Sequence, residues 1–386
     1  MAGPDISIIM PAYNSAPWLG QAVESVLLQQ NPAWELLIVD DASTDATPDL
    51  ARRYADLDPR VRALANAGQK GAGGARNTGL DAMCGRAAFF LDSDDLVYPG
   101  ALDALHAALE RGRNPVALGT GRIFCEQRWL TASCKIDSPS ETLSPPGSSF
   151  CLHIYRADFL ARRGIRFPED LIISQDSAFL ADVYSHLREQ PERTDRPILL
   201  YRINHKPSRP SATKSRAFLD RFSLALDAFA RRGKEDWIVP YLERYFLPEW
   251  LMRLHTVREN SREDAVCYLA GCLETLQPLR NGKEAARSLR RQLGPAADAF
   301  LAVFRPNDAE AALDILEQHH LLSPMPGFTG IDRNPAQPGW PWYLLSQRAL
   351  NLARSRETRR NLVYMARLGQ RSRQRLVRRN AGGSPC

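Results

Sequence analysis

The 386-residue chain contains seven cysteines, an odd number, scattered and without a C-x-x-C pair. That pattern argues against a disulfide framework and against a zinc site. No apolar run approaches the roughly 18 residues a membrane-spanning helix requires. Residues Met1–Asp5 lack the basic start and apolar stretch of a secretory leader, so a cytoplasmic chain is expected. There is no P-loop: the glycine-rich Gln69–Gly74 does not end in G-K-[ST]. Nor does it form G-x-G-x-x-G after a first strand, so the pattern gives little support to dinucleotide binding. No internal repeat is visible.

With 44% apolar residues the chain can bury a sizeable core, and its length suggests two or three domains. The net charge of +6 is uneven. From Pro341 onward there are eleven arginines and one acid, Glu357, while the remainder is slightly acidic. The basicity therefore belongs to a tail. Three roles suit it: contact with an anionic membrane surface, binding of an acidic partner or glycan, or a solubilising segment. No nucleic-acid-binding module accompanies the charge, so no nucleic-acid partner is expected.

The first 120 residues alternate apolar runs with helical spacing. Strands are expected at Ile6–Met10, stopping at Pro11, and at Trp34–Val39, Arg60–Ala65, Ala87–Leu91 and Val116–Leu118. Helices fit Trp18–Gln30, Thr47–Leu57, Ala75–Met83 and Pro99–Gly112. This alternation implies an α/β fold with a mostly parallel, doubly wound sheet. Further helices are expected at Tyr155–Arg163 and Ser177–Leu187, with a strand at Ile198–Ile203. The chain divides into a catalytic α/β part (1–215), a helical part (216–323), a Pro/Gly-rich linker (324–341) and an Arg-rich tail (342–386).

One segment stands out. Phe89-Phe90-Leu91 runs straight into Asp92-Ser93-Asp94-Asp95. A buried strand ending in three carboxylates places them at the sheet edge where open α/β folds bind ligands. Carboxylates so close repel unless a cation lies between them. A divalent ion bridging to a diphosphate would supply it. An acidic turn leading into the next helix is the competing reading.

Other strand ends carry matching features. Pro11-Ala12-Tyr13-Asn14 follows the first strand and Asp40-Asp41-Ala42-Ser43-Thr44-Asp45 the second, and Gly74-Ala75-Arg76-Asn77-Thr78-Gly79 precedes the fourth. This ordered set closely resembles the family 2 glycosyltransferases, which have the GT-A fold, over residues 5–210. The resemblance implies a metal-dependent enzyme that transfers sugar from a nucleotide-diphosphate donor to a glycan or lipid-linked hydroxyl. Mn²⁺ or Mg²⁺ suits such an oxygen-rich site. By this resemblance Asp94 is the direct metal ligand. Asp92 contacts the ribose, or the metal through water, and Ser93 belongs with it among the donor contacts. Asp95 either binds the metal or orients its neighbour. Ala12 and Tyr13 lie against the base, Asp41 accepts the ring N–H of a uracil, and Arg76 meets the base or the phosphates. A UDP-type donor is therefore favoured. Tyr13 as a surface aromatic and Arg76 as an exposed helix charge are the competing structural readings.

Ile172-Ile173-Ser174-Gln175-Asp176 resembles the family segment whose second acid deprotonates the acceptor. Gln175 departs from the common Glu, while Asp176 keeps the place of the general base. Asp176 could instead cap the following helix. Glu169 and Asp170 are rival acids. One acid on the acceptor side, without a carboxylate nucleophile, implies single displacement with inversion. The basic loop from His205 to Arg209 is a candidate to close over the diphosphate, or else a solvated basic loop. The Q-x-x-R-W signature of processive synthases is absent, since Gln127-Arg128-Trp129 has the wrong spacing. Two alternatives stand beside the transferase. A haloacid-dehalogenase-like phosphatase also ends a strand in D-x-D, but on its earliest strand. A non-catalytic nucleotide-sugar-binding protein would use the tail for assembly. A peripheral position at the inner face of the membrane is expected if the tail meets lipid.

Overall fold

The computed structural model describes residues 3–30, 33–125, 130–134, 150–171, 173–203, 212–246, 308–318 and parts of 253–275 and 364–376. Gln127–Trp129, the stretch 138–149, the basic loop His205–Arg209 and the linker 324–341 lie outside them.

One nine-stranded sheet organises the α/β part. Its strands are β1 (Ile6–Ala12), β2 (Trp34–Asp40), β3 (Val61–Ala65), β4 (Ala87–Phe90), β5 (Leu96–Val97), β6 (Val116–Cys125), β7 (Leu130–Cys134), β8 (His153–Arg156) and β9 (Glu192–Ile203). The order is β3-β2-β1-β4-β8-β6-β9-β5, with β7 paired to β6. Helices α1 (Ala16–Leu27), α2 (Thr47–Leu57), α3 (Ala72–Ala82), α4 (Ala101–Arg111), α5 (Ala157–Arg163) and α6 (Gln175–Ser185) alternate with the strands, and α7 (Ala212–Ala230) follows β9. Pairing is parallel across β3-β2-β1-β4. It turns antiparallel at β8, and β6 and β9 are again parallel. The chain moves outward from β1 to β3 and returns to β4 on the other side of β1. That reversal opens a crevice at the carboxyl ends of β1 and β4.

The parallel half follows from composition. β1 is buried along its whole length. Apolar residues on both faces suit a strand covered by helices on both sides. β1 continues through Pro11 rather than stopping there, because its register with β2 reaches Ala12 while β4 pairs only to Ile9. The N–H that proline lacks would face the side where β4 has ended. Residues 153–156 form a strand before α5, so the helix expected from Tyr155 starts later. His153 and Tyr155 pack edge-on against Tyr184 and Phe179 of α6, and that burial outweighs the helical spacing.

Beneath the crevice lies an aromatic cluster. Phe167 and Phe179 stack at 4.0 Å, and Phe90 meets both edge-on. Each ring buried this way contributes roughly 1.5–3 kcal/mol. They give the β4 end and the start of α6 a common, close-packed floor.

Part of the Arg-rich segment packs on this core. Leu368 is fully buried and Met365 nearly so, in a cluster with Leu96 and Leu200. Tyr364 stacks on Tyr98 and donates to the Val97 carbonyl at 2.7 Å. Ser372 bonds the Tyr54 hydroxyl at 2.8 Å. Arg375 Nε reaches Glu24 Oε1 at 2.9 Å, and Glu24 is wholly buried in α1. Burial raises the Glu24 pKa and Arg375 opposes the rise. Replacing Arg375 with Ala is expected to cost about 2 kcal/mol, moderated because Arg375 is 40% exposed. A carboxyl whose folded pKa is raised destabilises as pH climbs through that value. The deficit should therefore be largest at neutral pH and shrink on acidification. Thermal melts across pH check both points; a pH-independent deficit would count against a charge origin.

Candidate active site

Four strand ends build the crevice. At the end of β1, Ala12 accepts the Asp41 N–H at 2.8 Å and is itself buried. Tyr13 follows, half exposed, with Lys70 Nζ 5.2 Å from its ring centroid. Asn14 takes a left-handed φ of 49° and locks onto the next loop through Ser43 Oγ and the Thr44 N–H. Asp45 accepts the N–H groups of Ala16 and Thr47, bracing the starts of two helices. Asp40 accepts the Ser43 N–H, which also makes it a loop brace.

Asp41 is buried at the end of β2. Its Oδ1 accepts Asn66 Nδ2 at 2.6 Å and the Gly71 N–H at 3.0 Å. Both bonds fall on one oxygen, and they pin the glycine-rich loop to β2 and β3. Gly71 has φ of 134°, a conformation open to glycine and strained for other residues. At Gly74 a Cβ would lie 2.0 Å from the Gln69 carbonyl oxygen, so the loop could not fold back over the start of α3.

That fold-back turns Arg76 inward. It is buried, paired with Asp92 Oδ1 at 2.8 Å, and its guanidinium lies 4.5 Å from the Phe150 ring and 5.2 Å from Phe167. The exposed-helix-charge reading of Arg76 does not hold. Asn77 bonds both backbone groups of Phe167 and holds Glu169 Oε1. Glu169 also accepts the Gln69 N–H, and these bonds hold its carboxyl below the usual range. Glu169 is thereby engaged as a loop brace.

Asp92 and Asp94 are partly open to the crevice, while Ser93 and Asp95 are buried. Ser93 Oγ lies 2.6 Å from Ser15 Oγ. Cys151 Sγ lies 3.8 Å from the second oxygen of Asp92. Asp95 Oδ1 accepts the Arg202 backbone N–H at 2.7 Å, and its Oδ2 is buried without a hydrogen-bond partner. Burial, reinforced by Asp94 and Asp92, pushes the Asp95 carboxyl well above the ordinary range. The Arg202 side chain donates to the Asp94 carbonyl at 2.7 Å and to Gln21 Oε1. Arg202 belongs to no motif; its one signal in the sequence is an arginine within the apolar run Ile198–Ile203.

Asp176 lies in the first turn of α6, partly buried. Burial raises its pKa, and Arg76 and then Arg221 pull against the rise. Arg76 thus pairs with Asp92 while its charge acts on Asp176. Gln175, in the place of the family Glu, is buried and donates to the Leu171 carbonyl at 2.5 Å. Asp170 is exposed. Among the described residues no three His, Cys, Asp or Glu side chains converge as a ready metal cluster. Two half-open carboxylates beside a buried, unpartnered carboxylate oxygen still fit an ion whose remaining ligands are diphosphate oxygens. No described helix is long and apolar enough to cross a membrane.

Comparison with known proteins agrees with this architecture. Residues 7–160 match the family model Glycosyl transferase family 2. The succinoglycan biosynthesis protein ExoO of Rhizobium meliloti is 37% identical over 193 residues, covering 46% of this chain and 55% of the relative. An uncharacterized glycosyltransferase of Haemophilus influenzae is 32% identical over 48% of this chain and 74% of its own length. The chain spans less than two thirds of the length of the first curated relatives it matches. The crystal structure of Staphylococcus aureus TarS 1–349 with UDP superposes with a TM-score of 0.59 at 17% identity, covering 82% of this chain and 91% of that one. The fold is therefore GT-A-like, and the chain belongs to glycosyl transferase family 2.

Proposed function

We propose that this protein transfers a sugar from a UDP-type donor to a hydroxyl of a growing polysaccharide, with inversion at the anomeric carbon. One juxtaposition carries the reading. The buried guanidinium of Arg76 pairs with Asp92 of the carboxylate turn (Asp92, Asp94) and its charge acts on the candidate base Asp176, while Tyr13 and Asp41 lie at the neighbouring ends of β1 and β2. UDP in the TarS structure and the succinoglycan role in the name of ExoO support the donor class and the polysaccharide setting.

Asp41 keeps one oxygen clear of the loop bonds, suited to a ring N–H, and Tyr13 offers a face for stacking. Ala12 contributes backbone at the pocket floor. Ser93 holds the Asp92 turn through Ser15. Asp92 and Asp94 would hold Mn²⁺ or Mg²⁺, with Asp95 as the buried support of the turn. The ion would supply a Lewis acid that stabilises the departing diphosphate. Asp176 takes the proton of the acceptor hydroxyl. The freed oxygen pair attacks the anomeric carbon, and the bond to the diphosphate oxygen breaks with its electrons leaving on UDP.

Part of the Arg-rich segment is committed to the core, but Arg367 and Arg371 are exposed. They, with the remaining arginines, suit an anionic lipid surface and hence a lipid-linked acceptor. Salt-sensitive co-sedimentation with anionic vesicles tests this; equal binding to neutral vesicles would reject it.

The transferase reading is tested by donor hydrolysis with UDP-, dTDP- and GDP-sugars, with Mn²⁺ or EDTA. UDP release that needs metal and falls at least about 100-fold in Asp94→Ala is expected. Phosphate release from simple phosphoesters without any nucleotide release would favour the phosphatase. Tight UDP binding with no turnover on any acceptor would favour a binding protein.

A further inference from the structure

A residue of α7 reaches the turn that leads into α6. Arg221 lies on α7, outside the strand ends that bind nucleotide, and is buried. Its guanidinium lies 4.7 Å from the Phe218 ring and 4.5 Å from the Phe222 ring. Those rings fix its direction. One arm, NH1, donates to Ser174 Oγ at 3.1 Å. Ser174 is the residue before α6 and takes a left-handed φ of 62°. A serine rarely adopts that conformation without outside support. The turn it makes sets where α6 begins, and Asp176 sits two residues on.

We propose that Arg221 is a positioning residue for the catalytic base: clamped by two phenylalanines of α7, it holds the Ser174 turn that presents Asp176 and keeps a positive charge facing that carboxylate. The proposal rests on the assignment of Asp176 as base. Among the described residues, the leading charged groups that act on Asp176 come from several elements. Arg76 of α3 and Arg221 of α7 pull its pKa down, Asp92 at the β4 end pushes it up, and the Ser177 N–H of its own helix lowers it. The Cys151 thiol and the Tyr155 hydroxyl also feel its charge. The two arginines enter from opposite parts of the chain and play separable roles. Arg76 pairs with Asp92 of the donor-binding motif, whereas Arg221 bonds Ser174 in the turn before Asp176. Loss of Arg221 should therefore alter the chemical step and leave donor binding in place.

The test uses the full chain and steady-state transfer with a UDP-sugar that it turns over. In Arg221→Met, kcat is expected to fall about 10- to 100-fold while donor KM changes by less than about threefold. The acidic limb of its kcat–pH profile should move to higher pH, because a carboxylate deprived of a facing cation gains its proton sooner. Ser174→Ala keeps the charge and removes the bond, so kcat should fall with the limb in place. Arg221→Lys should restore the limb but not the full kcat, since one ammonium does not reproduce the guanidinium geometry. If Arg221→Met fails to fold, Arg221→Lys and Ser174→Ala decide the matter: wild-type kcat in both overturns the proposal. An unmoved limb in a folded Arg221→Met also overturns it. Asp176→Asn separates the two levels. If that variant keeps wild-type turnover, the base assignment fails; if it is inactive while Arg221→Met behaves as wild type, only the role of Arg221 falls.

Discussion

Asp176→Asn is expected to lower kcat about 1,000-fold while UDP still binds with near wild-type affinity. The amide keeps the shape of the carboxyl and can still cap the first turn of α6, but it cannot accept the acceptor's proton. A purely capping role would predict the opposite pattern, with a modest loss of stability and little change in turnover. In the wild type, the acid limb of kcat should lie above the ordinary aspartate range, because burial raises the Asp176 pKa. The sign follows from the base role: below its folded pKa the carboxyl is protonated and inactive, so activity rises with pH through that value. Isothermal calorimetry with UDP, a thermal melt and a kcat–pH profile of the same preparation separate the two roles. A profile flat down to about pH 4 would remove Asp176 as the titrating base.

Arg76→Met is expected to affect binding and chemistry together. The methionine fills a similar space against Phe150 and Phe167 but removes the charge between Asp92 and Asp176. Arg76 pulls the Asp176 pKa down, so its loss should move the acid limb to higher pH and make the defect worse at pH 6 than at pH 9. Asp92 also loses its 2.8 Å partner. Donor KM should therefore rise together with a fall in kcat on the order of 100-fold at neutral pH. This combination distinguishes Arg76 from Arg221, for which KM is expected to hold. A variant with unaltered donor KM would show that Arg76 does not organise the donor side.

Gln175 bears on whether the site is catalytic. A glutamine in place of the family Glu gives weight, from sequence, to a binding protein that has lost activity. Its amide is buried and bonded to the Leu171 carbonyl, a backbone-bracing task. The departure therefore falls on a supporting position, and Asp176 remains the candidate acid of the segment.

What was legible in the sequence is what depends on neighbours along the chain. Apolar runs buried on both faces read as parallel strands. Each site motif lies within one to four residues of a strand end or a helix start, so Tyr13, Asp41, Asp94 and Asp176 could be named as candidates; the family itself was legible from the motifs. The tertiary structure decided which side chains meet across long separations. Arg76 turns inward to Asp92 because glycines let the loop fold over α3. Asp95 is buried because β9 returns more than a hundred residues later to place Arg202 against it. Arg221 reaches Ser174, and Arg375 reaches Glu24, from helices whose local spacing marks them as ordinary charged positions. No periodicity encodes those pairings. They arise when apolar faces close on one another and the remaining buried charges and polar groups must find partners.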